Sequence, residues 1–181
     1  GNVETQVISL TVTQTNDAAV FGGNLSGSGL EDGPAITGTL TVSDAIDGMT
    51  TPNFTVSGLA ANGTAAINAA TGAWSYTPNP NFNGADSFTV SVTDDAGNVE
   101  TQVISLTVTQ TNDAPIAVND SATTPQNTAV TTGNVLANDT DVDSVLNAAS
   151  ITAFDAVSAN GGTVVNNGDG TFTYTPALNF T

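Results

Sequence analysis

The 181-residue chain has no lysine, arginine, histidine or cysteine, and its 17 acidic side chains give a formal charge of -17. Each absence removes a class of chemistry. Without cationic side chains the chain cannot grip phosphate, which excludes ordinary nucleic-acid binding and docking to an anionic membrane surface. Without cysteine or histidine there is no zinc site of the usual kind, no disulfide and no Ser-His or Cys-His nucleophile. Without lysine there is no Lys–Asn isopeptide crosslink. No apolar run reaches the roughly 18 residues that a membrane-spanning helix needs. A carboxylate here can be answered only by backbone dipoles, by a partner or by a metal ion.

What remains is strongly patterned. Hydrophobic residues make up 39% of the chain, and they alternate with Thr and Ser at a period of two, the signature of half-buried strands. Phe88, Val90 and Val92 share one face while Thr89, Ser91 and Thr93 share the other. Trp74 and Tyr76 point inward beside outward Ser75 and Thr77. Seven strands are predicted near Ala19–Gly22, Ile36–Val42, Asn53–Ser57, Thr64–Asn68, Ala73–Thr77, Ser87–Thr93 and Val99–Thr109. Within the last, the inward set Val99, Thr101, Val103 shifts to Ile104, Leu106, Val108, as a β-bulge would produce. Turn signals such as Asp32-Gly33-Pro34, Asp47-Gly48 and Asp95-Ala96-Gly97 separate the runs. Seven short strands at this spacing predict an all-β, Greek-key sandwich of immunoglobulin-like form.

The chain also repeats itself. Gly1–Ala18 returns letter for letter at Gly97–Ala114, an offset of 96 residues. Phe172-Thr-Tyr-Thr-Pro176 with Asn179-Phe180 matches Trp74-Ser-Tyr-Thr-Pro78 with Asn81-Phe82. We therefore read residues 1–17 as the last strand of a preceding repeat, 18–114 as a whole repeat, and 115–181 as the start of the next, without its last strands. Tandem units of this length build extended arrays rather than single active sites. No catalytic residues are assigned, and an enzyme is not expected.

Several motifs in order carry a resemblance. Glu31-Asp-Gly33, Leu40-Thr-Val-Ser-Asp44, Tyr76-Thr-Pro78, Asn81-Phe-Asn-Gly84, Asp86-Ser-Phe88, Thr111-Asn-Asp-Ala-Pro115 and Asn134-Val-Leu-Ala-Asn-Asp-Thr-Asp-Val-Asp143 together resemble the cadherin-like, VCBS-type repeats of large bacterial surface adhesins. The resemblance implies calcium-stabilised extender domains, secreted to the cell surface, that hold an adhesive tip away from the cell.

The acids can be sorted without that family. Walking a seven-strand sandwich from end to end brings Asp44, Asp47, Asp94 and Asp95 to the top, near the entering Asn16-Asp17. The same walk brings Glu31, Asp32, Asp86, Asn112 and Asp113 to the bottom. In the next unit, Asp139, Asp141 and Asp143 lie at i, i+2 and i+4, on one side of an extended backbone. In a tandem array these ends face one another, and like charges so gathered favour Ca²⁺, which takes 6–8 oxygen ligands. The metal ligands are thus expected among Asp17, Glu31, Asp32, Asp44, Asp47, Asp86, Asp94, Asp95, Asn112, Asp113, Asp139, Asp141 and Asp143. The pattern is neither an EF-hand, since Ser144 stands where its glycine belongs, nor an RTX turn. Gln126-Asn127 replaces Glu31-Asp32 in the second repeat, which weakens its lower site. The expected partners are neighbouring repeats of the same chain and other copies in a fibre, with surface glycans a further class. A carbohydrate- or ice-binding module using Thr rows such as Thr107, Thr109 and Thr111 is one alternative. A strand-exchanged filament subunit using Gly1–Thr13 is another.

Overall fold

Among the described residues the first repeat carries eight strands, one more than the alternation predicts. They are β1 (Val20–Gly23), β2 (Ser26–Leu30), β3 (Ile36–Ser43), β4 (Thr55–Gly58), β5 (Gly63–Ile67), β6 (Ala73–Pro78), β7 (Gly84–Thr93) and β8 (Val99–Thr109). The computed structural model describes residues 1–13 and 15–181, which divide into two units, Gly1–Thr111 and Asn112–Thr181. In unit 1 the strands form two four-stranded sheets, ordered β1-β3-β6-β5 and β2-β8-β7-β4.

The extra strand is β2, and its sequence hides it. Ser-Gly-Ser-Gly-Leu has no apolar alternation, yet it pairs in parallel with β8 from Ser26↔Ser105 to Leu30↔Thr109. Its glycines are a packing requirement. A Cβ at Gly27 would stand 2.7 Å from the Ile36 side chain and 2.8 Å from the Trp74 ring, so the large core residues fill the space that β2 vacates. Between β1 and β2 the chain changes sheets at Gly23, whose φ of +79° suits glycine. Asn24 holds the crossing in place. Its N–H donates to Thr39 O at 2.7 Å, its Oδ1 accepts from Thr39 N at 3.0 Å, and its carbonyl accepts from the Trp74 indole at 3.0 Å.

The core between the sheets comprises Ile36, Leu40, Phe54, Trp74, Tyr76, Phe88, Val90, Val92, Ile104, Leu106 and Val108, each no more than 5% exposed. Trp74 meets Phe88 edge to face, with ring centres 5.8 Å apart. The predicted bulge in the last strand is not there. β7 and β8 pair in unbroken register from Gly84↔Val108 to Thr93↔Val99. A single phase therefore holds along β8, and Val99 and Val103 point outward, 64% and 48% exposed. Two valines on a solvent face imitated a shift of phase. The register irregularity falls instead between Val56 and Gly58, where β4 meets β7.

Unit 2 repeats the same local devices with fewer strands: β9 (Val130–Thr131), β10 (Thr163–Asn166) and β11 (Phe172–Thr175), ordered β10-β11-β9, and a 3-10 turn at Ala148–Ser150. Gly162 lies under the Tyr174 ring as Gly63 lies under Tyr76. Asn127 and Asn179 take positive φ as Asp32 and Asn81 do. By contrast, Gly1–Thr13 form no strand, and Val3, Val7, Ile8, Leu10 and Val12 are 77–93% exposed.

Replacing Trp74 by Ala removes the largest core side chain and its hydrogen bond to Asn24. The expected loss is about 3–5 kcal/mol of unit 1 stability, measured by denaturant unfolding; a loss below about 1 kcal/mol would contradict this packing.

Candidate metal centre

Two long strands deliver the acids to one end of unit 1. β3 ends at Ser43 and β7 at Thr93, so the loops that follow begin with Asp44 and Asp94. Asp44 makes an Asx turn in which its Oδ1 accepts from Ile46 N at 3.0 Å and Asp47 N at 2.9 Å. That turn folds Asp47 back toward Asp94. The carboxylates of Asp44, Asp47 and Asp94 each contribute an oxygen to a set lying within 4.8 Å of one another. Asp47 is 7% exposed and Asp94 only 5%.

The remaining oxygens are well provided for, with one exception. Asp94 accepts from Asn98 twice, from its N–H at 2.7 Å and its side-chain amide at 2.8 Å. Burial pushes the Asp94 carboxyl up, but these bonds, with the N–H groups of Gly97 and Ala96, outweigh it and hold it below the usual carboxylate range. Asp47 Oδ2 accepts from Asp17 N at 2.7 Å, which ties the entering chain to the cluster. Asn16 reinforces that entry with a 2.9 Å bond to Glu100. The exception is Asp44 Oδ2, which is buried and receives no hydrogen bond. Three like charges gathered this closely repel one another. A divalent cation reverses the sign of the term, and a buried, unpartnered carboxylate oxygen is where such an ion would attach.

The other expected ligands are distributed differently. Asp95 stands next to Asp94 but turns to Thr50, accepting from its N–H at 3.1 Å and its hydroxyl at 2.9 Å. Asp17 reaches the cluster through its N–H and is not one of the three grouped carboxylates. At the opposite end Glu31, 2% exposed, accepts from Thr111 N at 2.8 Å and Asn83 Nδ2 at 3.1 Å. Asp32 accepts from Asn81 N at 3.1 Å. Asp86 is surrounded by donors: Tyr76 Oη at 2.8 Å, Asn62 N at 2.8 Å, Ser87 N at 2.8 Å and Ala61 N at 3.2 Å. Here too desolvation pushes the carboxyl up, and the four hydrogen bonds outweigh it, leaving it below the ordinary value. Tyr76 is pushed far up, by burial first and then by its bond to Asp86. Asp86 on β7 thus clasps the Tyr76 hydroxyl of β6.

Unit 2 repeats the entry geometry. Asp141 Oδ1 accepts from Asp143 N and Ser144 N, both at 2.9 Å, an Asx turn like that of Asp44. Asp113 N donates to Asp143 Oδ2, as Asp17 N donates to Asp47. Asp139 accepts from Val118 N at 2.8 Å, and the Asn112 side chain donates to Asp113 O at 2.8 Å. Asn127, in the place of Asp32, accepts from Asn179 N at 2.8 Å, so an amide performs the turn without the charge. Among the described residues only Asp44, Asp47 and Asp94 form a three-acid group. Sequence reasoning missed Asn98, Thr50 and Asn83, whose donors fix the acids; their one signal was position, beside acidic turns.

Residues 16–110, more than half of the chain, match the family described as bacterial cadherin-like domain. The chain belongs to that family. Residues 112–181 match a second description, bacterial Ig domain. Among solved structures, the chain is similar to protocadherin gamma B2 extracellular cadherin domains 3–6, with a TM-score of 0.52 and 12% identity over 90% of this chain and 39% of that one. It therefore spans about two-fifths of that protein's length, and the likeness concerns the fold. The titin domains Z1Z2 in complex with telethonin give a TM-score of 0.36 at 15% identity, over 92% of this chain and 85% of that one. No curated protein sequence matches. Bacterial cadherin-like and Ig domains are in general extracellular structural or adhesive modules, and this chain carries domains of both descriptions.

The Tyr76–Asp86 clasp predicts an acid limb of stability. Because the Asp86 carboxyl is depressed in the fold, its contribution is complete above the unfolded value near 4. It is lost as pH falls through the lower folded value. Asp86→Ala should cost about 2–3 kcal/mol at pH 7 and flatten the stability change below about pH 4, measured by urea unfolding across pH. An unaltered acid limb would show that the clasp contributes nothing.

Proposed function

We propose that the chain is a non-catalytic, calcium-stabilised extender segment of a long secreted bacterial surface adhesin or extracellular fibre. It serves adhesion or biofilm formation through the wider protein. The observation that carries this reading is the group Asp44, Asp47 and Asp94 with the buried, unpartnered Asp44 Oδ2.

The chemistry of the donor set selects the ion. Every available ligand is an oxygen, which suits Ca²⁺ or Mg²⁺ over zinc or copper. Mg²⁺ demands near-ideal octahedral geometry, whereas Ca²⁺ accepts flexible sets of 6–8 oxygens, and three carboxylate oxygens from two separate loops, all within 4.8 Å of one another, suit the more adaptable ion. Asp44, Asp47 and Asp94 would hold the ion. Asp17, through its N–H on Asp47, would feel its presence. An occupied site then fixes the path by which the chain enters the sandwich, and repetition of that geometry at Asp113, Asp141 and Asp143 supports the same role at the start of unit 2. A rigid entry at each repeat keeps an array extended, which is what an extender must do.

Calcium at a hundred times its dissociation constant should stabilise unit 1 by about 2.7 kcal/mol, seen as a rise in melting temperature that excess EDTA reverses. Asp94→Asn should abolish most of that rise and leave the chain folded. Melting curves that coincide in calcium and in EDTA would overturn the proposal.

A further inference from the structure

The chain enters unit 1 at one end and leaves it at the other. On the entering side the Asp17 N–H donates to Asp47, which is grouped with Asp94, the residue after β7. On the leaving side the Thr111 N–H donates to Glu31, whose other oxygen accepts from Asn83, the residue before β7. Entry and exit thus lie at opposite ends of the ten-residue β7, roughly 30 Å apart at a rise of about 3.3 Å per residue. Besides β7, only β2 pairs with the last strand, β8, and theirs is the one parallel pair among the described residues.

Parallel order fixes how a pull on the two ends acts. β2 is drawn from Ser26 toward the entry, and β8 from Thr109 toward the exit, so the strands must slide lengthwise past one another. Every bond of the ladder then carries load at once. Upstream, β1 is drawn along its own length against β3, so nothing before β2 opens pair by pair. The β2–β8 bonds run from Ser105 N on Leu25 O at 3.1 Å to Glu31 N on Thr109 O at 3.0 Å. The Glu31 carboxylate, 2% exposed, extends them one step further with its 2.8 Å bond from Thr111 N.

Sliding also meets a steric stop. The smallest slip that keeps the same side chains inward is two residues. Toward the entry, it brings Gly29 into the place of Gly27 and Glu31 into the place of Gly29. There even a Cβ would stand 2.7 Å from the Ile36 side chain, well inside the about 3.5–4.0 Å at which carbon atoms pack. A slip of one residue puts Leu30 there instead. We propose that unit 1 is a force-bearing clamp. Its parallel β2–β8 ladder, stopped at the Gly27 and Gly29 seat and latched by Glu31, carries tension between entry and exit. This goes beyond the extender reading and stands without the ion, because neither ladder nor seat uses Asp44, Asp47 or Asp94.

The absence of cysteine lets two thiols serve as handles on the 181-residue chain, which is pulled one molecule at a time in EDTA. Thr15→Cys with Thr111→Cys loads the ladder lengthwise. Ala35→Cys with Thr111→Cys pulls apart the neighbouring ends of β2 and β8, so the same ladder opens one pair at a time. Forced unfolding reports the barrier rather than the equilibrium stability, and the rupture force should be several times higher in the first geometry. Glu31→Gly removes both the latch and the side chain that meets the stop, and should lower the first force toward the second. Equal forces in the two geometries would overturn the proposal, and that comparison needs no change at Glu31. A lengthwise strength indifferent to Glu31→Gly would overturn it as well. Because the pulling is done without calcium, the extender reading is decided separately, by the melting curves in calcium and in EDTA.

Discussion

A protein without basic side chains must answer every buried carboxylate with N–H and O–H dipoles or with a metal ion, and this constraint organises the whole structure. Buried ions are tolerated only when their lone pairs are met. Glu31, Asp86 and Asp94 meet that condition with backbone amides, with Asn83 and Asn98, and with the Tyr76 hydroxyl. Such donors abound at strand ends, where the ladder leaves N–H groups over. The acids consequently gather at the ends of the sandwich, and the flanks fill with threonine and serine.

The same constraint turns two loops into a candidate metal centre. Asx turns are ordinary ways to leave a strand, yet here one of them folds Asp47 toward Asp94 and strands one oxygen of Asp44 without a donor. At the opposite end the acids are distributed among separate amide donors. The difference lies in geometry rather than composition, because both ends carry comparable numbers of acids.

Much of the fold was legible because strand alternation reports burial directly. Phe88, Val90 and Val92, like Trp74 and Tyr76, face the core as their spacing implies. The reading failed where that link breaks. β2 carries glycine on its inner face because Ile36 and Trp74 take up the volume, so no apolar residue marks it. Val99 and Val103 are apolar on the outer face, so they mimicked a bulge. For the site, walking the strands placed Asp44, Asp47 and Asp94 at one end. It could not separate Asp94 from Asp95, since adjacent residues point opposite ways and only Thr50 shows where Asp95 turns.

Gly1–Thr13 and Gly97–Thr109 share every letter, and they draw the line between the two kinds of information. The sequence by itself determined the all-β class, the repeat, the anionic character and a strand-forming alternation in both segments, because these depend on composition and period alone. Tertiary structure decided that one copy is β8, with Ile104, Leu106 and Val108 buried, while Ile8, Leu10 and Val12 remain exposed. The physical reason is that a strand's hydrogen bonds and its apolar face are completed by other strands. An alternating sequence becomes structure where β2 and β7 stand on either side of it.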